Sequence, residues 1–269
     1  MVHATRNFDE QAESFDQRAG LPASVSDAIA MELVRLAQLG PGDLVLEVGA
    51  GTGQVGFALC QHPLCYLGFD ASAAMLDVFR RRCREIGRPV TLIDADGNGR
   101  WPADDGGVKA VFGSRAVHLL RIEHVVEEVF RVTSPIGATL VLGRLQHEKK
   151  SLRARLRREM RERLRQLGYA SQEGQQKERE ILDACVRRGA FPLERRVGAT
   201  WPVQYSAAQV LSSWREKSGL AGHHTPMEVK EMVLSELAVW AKDAFGSLEA
   251  VQPAEEKYVL EGVRLSSKS

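Results

Sequence analysis

Apolar residues along this chain follow two alternating rhythms. Short, mostly apolar runs at Leu44–Val48, Cys65–Phe69, Val90–Ile93, Val108–Phe112 and Ala138–Gly143 suit strands that are covered on both faces. Between them lie stretches with helical spacing, at Ser24–Leu39 and Ala73–Ile86. Strands alternating with helices predict an α/β fold built on a mostly parallel sheet flanked by helices. The rhythm then changes. Beyond residue 147 the pattern is mainly helical, over Lys149–Arg165, Glu178–Gly189, Ala207–Lys217 and Met227–Phe245, with strand character at Leu193–Tyr205 and Glu256–Leu265. Ser171–Lys177 and Gly219–Pro226 read as polar loops, and adjacent His223 and His224 are poorly spaced to share a metal, so no metal site is expected.

The first run is followed by three glycines at alternate positions, Gly49, Gly51 and Gly53, with Glu47 at the strand's end. Glycines there let the backbone approach a ligand where a Cβ would collide or forbid the needed φ. Gln54–Leu59 reads as the first turns of a helix, whose free N–H groups point at the bound molecule. A dinucleotide fingerprint can be laid on Gly51, Gly53 and Gly56, but that register puts Gly49 and Ala50 inside the strand. Read from Gly49, the sixth position is Gln54 and the dinucleotide pattern breaks. Glu47 would repel a pyrophosphate and hold a cationic amino-acid moiety.

The segment Glu47-Val48-Gly49-Ala50-Gly51-Thr52-Gly53 resembles the first motif, E-x-G-x-G-x-G, of the class I S-adenosylmethionine-dependent methyltransferases, and among them the small-molecule type 11 group. The resemblance implies a Rossmann-like, seven-stranded sheet and S-adenosylmethionine as cofactor. It makes Asp70, which closes the second run 17 positions after Gly53, the ribose ligand, with Ser72 equally able to cap the following helix. It places an adenine contact at Asp94 or Asp96, and further cofactor contacts at Gly49, Ala50, Gly51, Gly53, Ala71, Gly97 and Ser114. Phe15 and Arg18 stand where relatives fold a leading segment over the cofactor; the alternative is an amphipathic helix docked on the core. Lys109 departs from the family, which often has an acidic residue there, whereas Arg131–Gly137 resembles its joint into the fifth strand, with Pro135 ending the helix.

The implied organisation is an N-terminal cap segment at 1–23, a cofactor-binding core at 24–146, a mostly helical lid and substrate region at 147–245, and a closing strand at 246–269. With 36 basic and 35 acidic residues in 269, the chain shows no global preference for nucleic acid or an anionic membrane. Cys60, Cys65, Cys83 and Cys185 form no C-x-x-C pair, and no stretch reaches membrane-spanning length, so a soluble cytoplasmic protein is expected.

One local charge is exceptional: Lys149–Arg165 carries nine Lys or Arg against two Glu, a net of +7. Leu152, Leu156, Met160, Leu164 and Leu167 give it one apolar stripe. A solvated lid helix, a landing face for RNA and the wall of a pocket for an anionic substrate all fit. Aromatics at only 6% weaken the RNA option.

A sulfonium methyl is already activated, so transfer needs alignment more than an elaborate catalytic set. His118, after the fourth run, is the first candidate for a base; Tyr205 is the second catalytic candidate and His147 a weaker one. Trp201, Gln204 and Tyr205 would line an acceptor pocket, with core packing the other role for Trp201. The expected function is methylation of a small-molecule acceptor; the alternatives are an RNA methyltransferase using the basic helix, or a cofactor-binding protein without methyl transfer.

Overall fold

The computed structural model describes residues 20–87, 90–134, 136–169, 174–217, 219–221 and 223–265. The chain divides into two compact units, one formed by residues up to 144, 174–199 and from 258 onward, the other by 145–173 and 200–257.

In the first unit, strands β1 (Leu44–Val48), β2 (Cys65–Asp70), β3 (Thr91–Asp94), β4 (Ala110–Ser114) and β5 (Thr139–His147) lie in the order β3-β2-β1-β4-β5. All four of these pairings are parallel. The sheet continues through β10 (Gln252–Arg264) to β6 (Phe191–Pro192), and β7 (Arg196–Tyr205) also pairs with β10, giving eight strands. The fold is thus α/β and Rossmann-like, with a mostly parallel sheet and one strand more than the seven expected. The extra strand is the two-residue β6, too short to leave a periodic trace in the sequence.

Helices α1 (Ala23–Leu36), α2 (Gly56–Leu59), α3 (Ala73–Glu85), α4 (Ile122–Val132) and α6 (Gly174–Arg187) flank the sheet in this unit, while α5 (Leu152–Gln166) belongs to the other. The apolar runs form strands because both faces are covered: Val45, Leu46, Val48, Val111, Phe112, Leu140 and Leu142 are all buried. The α4 stripe Val125, Val126, Val129 and Val132 packs into the same core. Burial of four such side chains contributes about 1.5–3 kcal/mol each before entropy is counted. The helix α6 begins at Gly174, inside the stretch expected to be a loop; Gln176 donates to Glu180 at 3.0 Å, a one-turn contact that supports a helical first turn.

The loop after β3 is fastened from below. Trp101 is fully buried, its indole N–H donates to Gly97 O at 2.9 Å, and its backbone N–H donates to Glu128 at 2.6 Å. Arg131 holds Glu128 at 2.5 Å and Asp105 at 2.7 Å. These charge-assisted bonds fix the position of Gly97, and with it one wall of the site.

The second unit packs α5, α7 (Ala207–Arg215) and α8 (Met227–Phe245) around Leu156, Met160, Trp214, Val233 and Leu237. Leu152, Leu156, Met160 and Leu164 are buried as their spacing predicts, whereas Leu167 is exposed because α5 ends at Gln166. Ser206 and Gln209 form a reciprocal capping box at the start of α7. Buried Lys230 donates to the carbonyls of Arg215 and Lys217, supplying partners to the end of α7. His223–His224 (β9), read as loop, pairs antiparallel with Gly219–Leu220 (β8), since backbone pairing needs no hydrophobic signature over two residues.

Candidate functional site

Strand register sets the geometry. Val48 stands opposite both Phe69 and Gly113, and Asp70 opposite Asp94, so the carboxyl ends of β1 to β4 form one rim. In an open parallel sheet that rim, where the chain order reverses on either side of β1, is where ligands bind. A cavity of about 470 Å³ opens there, within the range of small-molecule sites.

The turn after β1 is tied to β2 by the N–H groups of Gly49 and Ala50, which both donate to Phe69 O, at 2.9 and 3.0 Å. The three glycines do different work. All have left-handed φ, but a Cβ on Gly49 would lie 2.2 Å from Ala116 Cβ, and one on Gly53 would lie 2.3 Å from the Phe79 ring. Gly51 alone of the three faces open space, its nearest neighbour being Asp70 Oδ2 at 4.0 Å. Gly51 thus leaves the most open space beside its backbone, whereas Gly49, which also lines the cavity, and Gly53 are closed off by internal packing.

Asp70 is held by both oxygens. Gly51 N–H donates to Oδ2 at 3.0 Å and Ser72 N–H donates to Oδ1 at 2.9 Å. Ser72 Oγ, not Asp70, accepts from Met75 N–H and caps α3. A carboxylate has about four acceptor sites, so with backbone donors from Ser72, Gly51 and Ala71 acceptor capacity remains for a ligand hydroxyl. Burial raises the Asp70 pKa, opposed by the donors from Ser72 and Gly51.

Glu47 lines the cavity but is almost sealed. It is 2% exposed and accepts a 2.5 Å hydrogen bond from Tyr66 Oη. Burial pushes its carboxyl up to about 8, so near neutrality it holds its proton until a cation approaches. Its low accessibility follows from Gly56, where a Cβ would come within 2.5 Å of Glu47 Oε2. The helix α2 starts at Gly56 rather than Gln54, leaving Gln54 on the cavity wall, where Arg115 donates to it at 2.6 Å. Arg115 has φ +59, a strained value for a residue with a side chain, directly after β4.

Ala50, Ala71, Asp94, Asp96, Gly97 and Ser114 also line the cavity. Asp94 ends β3, and Asp96 turns the loop by accepting from Asn98 N–H at 2.9 Å. Both aspartates face the same space. Gly53 is one residue removed from the lining, and Phe15, Arg18 and Pro135 lie outside the described residues.

His118 sits in a 3-10 turn, Val117–Leu119, after β4. Its neighbours Ala116, Leu119 and Leu120 line the cavity and His118 does not. Burial, then the Lys177 charge, lowers its pKa, which keeps the imidazole neutral and able to accept a proton. Tyr205 ends β7 in the second unit, where it joins the apolar core; burial raises its phenol pKa.

Sequence reasoning missed Tyr66, Gln54, Arg115 and Tyr258. The last is fully buried on β10, with its hydroxyl 2.5 Å from Ser114 Oγ. No local pattern could have found it, since 144 positions separate the two residues. Among the described residues no group of His, Cys, Asp or Glu has the arrangement of a metal site, and no helix is long and apolar enough to cross a membrane.

Residues 45–137 match the family model of a methyltransferase domain. A malonyl-[acyl-carrier protein] O-methyltransferase from Marinomonas sp. (strain MWYL1) is 30% identical over 135 residues, 49% of this chain and 48% of the relative. The chain thus matches about half the length of that curated relative. Among solved structures, the YcgJ protein from Bacillus subtilis superposes with a TM-score of 0.56 at 16% identity, covering 89% of this chain and 99% of the other. The [4+2]-cyclase SpnF superposes with a TM-score of 0.53 at 16% identity, covering 90% and 81%. The two superpositions show a shared fold, and residues 45–137 are similar to a methyltransferase domain. SpnF also illustrates that one such fold serves more than one chemistry.

Proposed function

We propose that this chain, whose residues 45–137 are a methyltransferase domain on a class I Rossmann-like fold, binds S-adenosylmethionine in the cavity beside Asp70 and methylates a small-molecule acceptor. The observation that carries this reading is the Asp70 carboxylate, tethered through Gly51 and Ser72 on the cavity wall yet with acceptor capacity to spare for a ribose hydroxyl. The rest of the lining fits the same ligand. Asp70, Asp94 and Asp96 set three carboxylates against Arg115, with Glu47 able to ionise when a cation approaches, which favours a cation over a pyrophosphate.

When bound, the cofactor supplies a sulfonium-activated methyl group. Asp70 would accept from the ribose, Asp94 or Asp96 would accept from the adenine amino group, and Glu47 would attract the ammonium of the methionyl end. Ala71, Gly97 and Ser114 would shape the wall. His118, neutral because of its burial, would accept the proton of the acceptor if a hydroxyl or carbon acid is methylated. Nothing more elaborate is needed, since alignment and exclusion of water lower the barrier to in-line transfer.

The test is calorimetric titration with S-adenosylmethionine and S-adenosylhomocysteine. Asp70→Ala should weaken both by about 1–3 kcal/mol, the cost of losing hydrogen bonds to a charged group, with an unchanged circular-dichroism spectrum. Binding of a nicotinamide or flavin nucleotide in place of both would overturn the reading.

A further inference from the structure

The polar groups along the rim of the sheet are sorted by kind. Strand order runs β3-β2-β1-β4, and the side chains that end β3 and β2, Asp94 and Asp70, are hydrogen-bond acceptors. Past the glycine turn of β1 the rim presents donors: Ser114 closes β4 and Arg115 follows it, both on the cavity wall. Two strand spacings, roughly 10 Å, separate the β2 and β4 positions. A ligand that meets Asp70 and extends across the turn therefore brings its far end to the donors.

Arg115 is the single basic residue among the described residues that line the cavity. Its backbone has φ +59, and strain of this kind persists where the surroundings hold it, commonly at ligand clamps. The side chain is anchored across the turn, with Nη2 donating to Gln54 Oε1 at 2.6 Å. A planar guanidinium fixed in this way is matched to the two oxygens of a carboxylate. Ser114 is placed from farther along the chain. Tyr258 is fully buried on β10, and its Oη lies 2.5 Å from Ser114 Oγ. Burial raises the phenol pKa, so the hydroxyl keeps its proton, and a phenol is a stronger donor than an aliphatic hydroxyl. With Tyr258 donating, the Ser114 proton is left for a ligand in the cavity.

We infer that Ser114 and Arg115 form a carboxylate-binding site at the β4 end of the cavity, with Gln54 and Tyr258 as its positioning residues. A singly charged carboxylate suits the site better than a phosphate, because Asp70 and the ionisable Glu47 line the same cavity. The carboxylate belongs to the amino-acid end of the cofactor or to the methyl acceptor. Both sources rest on the methyltransferase reading; recognition of a carboxylate by itself does not.

The experiment is calorimetric titration of the full chain with S-adenosylhomocysteine and with its decarboxylated analogue, alongside titration with acetate read by NMR. Arg115→Gln should cost the carboxylate ligand about 10-fold in affinity. Arg115→Lys keeps the charge but loses the fork, so it should fall between wild type and Arg115→Gln. A loss confined to S-adenosylhomocysteine assigns the site to the cofactor. Unchanged binding of both adenosine compounds, with acetate binding to the S-adenosylhomocysteine-saturated protein lost in Arg115→Gln, assigns it to the acceptor. Equal weakening of both compounds, or no change in either and none with acetate, overturns the site. Tyr258→Phe and Ser114→Ala should each weaken the carboxylate ligand by about 3-fold, and the double variant should be no weaker than Ser114→Ala, since the phenol acts through that hydroxyl. Additive losses would exclude the positioning role of Tyr258. Should the wild type bind neither adenosine compound, the methyltransferase reading fails. The carboxylate site is then decided by acetate alone: saturable binding that Arg115→Gln abolishes upholds it, and absence of binding overturns it.

Discussion

Tyr66 Oη donates to Glu47 Oε2 at 2.5 Å, beneath a glycine turn and against the bare Cα of Gly56. The pair places an acid of suppressed strength at the floor of the cavity. Its partner's phenol is likewise raised, by burial and then by Glu47.

A pH dependence of stability follows. The Glu47 carboxyl is raised from 4.5 to about 8, so its contribution to stability is complete below its unfolded pKa and is lost as pH rises through its folded one. Glu47→Gln remains neutral throughout. Relative to wild type, the variant should therefore gain stability as pH climbs from about 5 to about 9 in urea unfolding. Parallel curves across that interval would show that Glu47 does not titrate as described.

Ligand binding should report the same group. An ammonium brought near Glu47 favours the ionised carboxylate, so S-adenosylhomocysteine binding should release a proton and tighten as pH rises toward about 8. Calorimetry in two buffers of different ionisation enthalpy counts the protons. Glu47→Gln should bind with no such release, and proton release equal to wild type would exclude Glu47 as its source.

Two glycines with similar backbone angles should respond differently to alanine. Gly42 has φ +82 and nothing within 4 Å of a built Cβ, whereas Gly53 has φ +79 and the buried Phe79 ring at 2.3 Å. Gly42→Ala should cost about 1–2 kcal/mol of left-handed strain. Gly53→Ala should add overpacking of about 1–3 kcal/mol. Equal urea midpoints for the two variants would contradict the packing role of Gly53.

His118 can be tested once an acceptor is in hand. Acting as base, it should contribute about 10²–10⁴ in kcat, lost in His118→Gln without change in cofactor affinity. Its pKa lies below 6.5, so wild-type kcat should decline only on the acid side of that value, and the variant should lack the decline. An unaltered acid limb in His118→Gln would remove it from proton transfer.

Much of the core was legible because its signals are local. Five apolar runs mark five parallel strands, and the glycine turn and Asp70 lie within one strand–turn–strand stretch, so short-range pattern suffices. Boundaries moved where tertiary contacts outweigh propensity: β4 runs to Ser114 because Gly113 and Ser114 pair with Leu142 and Gly143. The helical start at Gly174 and the pairing of His223–His224 were illegible for another reason: each rests on short-range contacts, Gln176 to Glu180 and Leu220 to His223, in stretches without an apolar period.

The sequence by itself determined the alternation of strands and helices, the turn after β1 and the acidic residue ending β2, since each is a matter of side-chain period, backbone freedom or charge over a few residues. Only the tertiary structure decided that Glu47 is sealed by Tyr66 and Gly56, that Gly51 alone of its turn meets open space, and that Tyr258 reaches Ser114. It also decided which arginines of α5 find carboxylates. The physical reason is shared: desolvation and ion pairing depend on what surrounds a group in space, and a linear pattern carries no record of it.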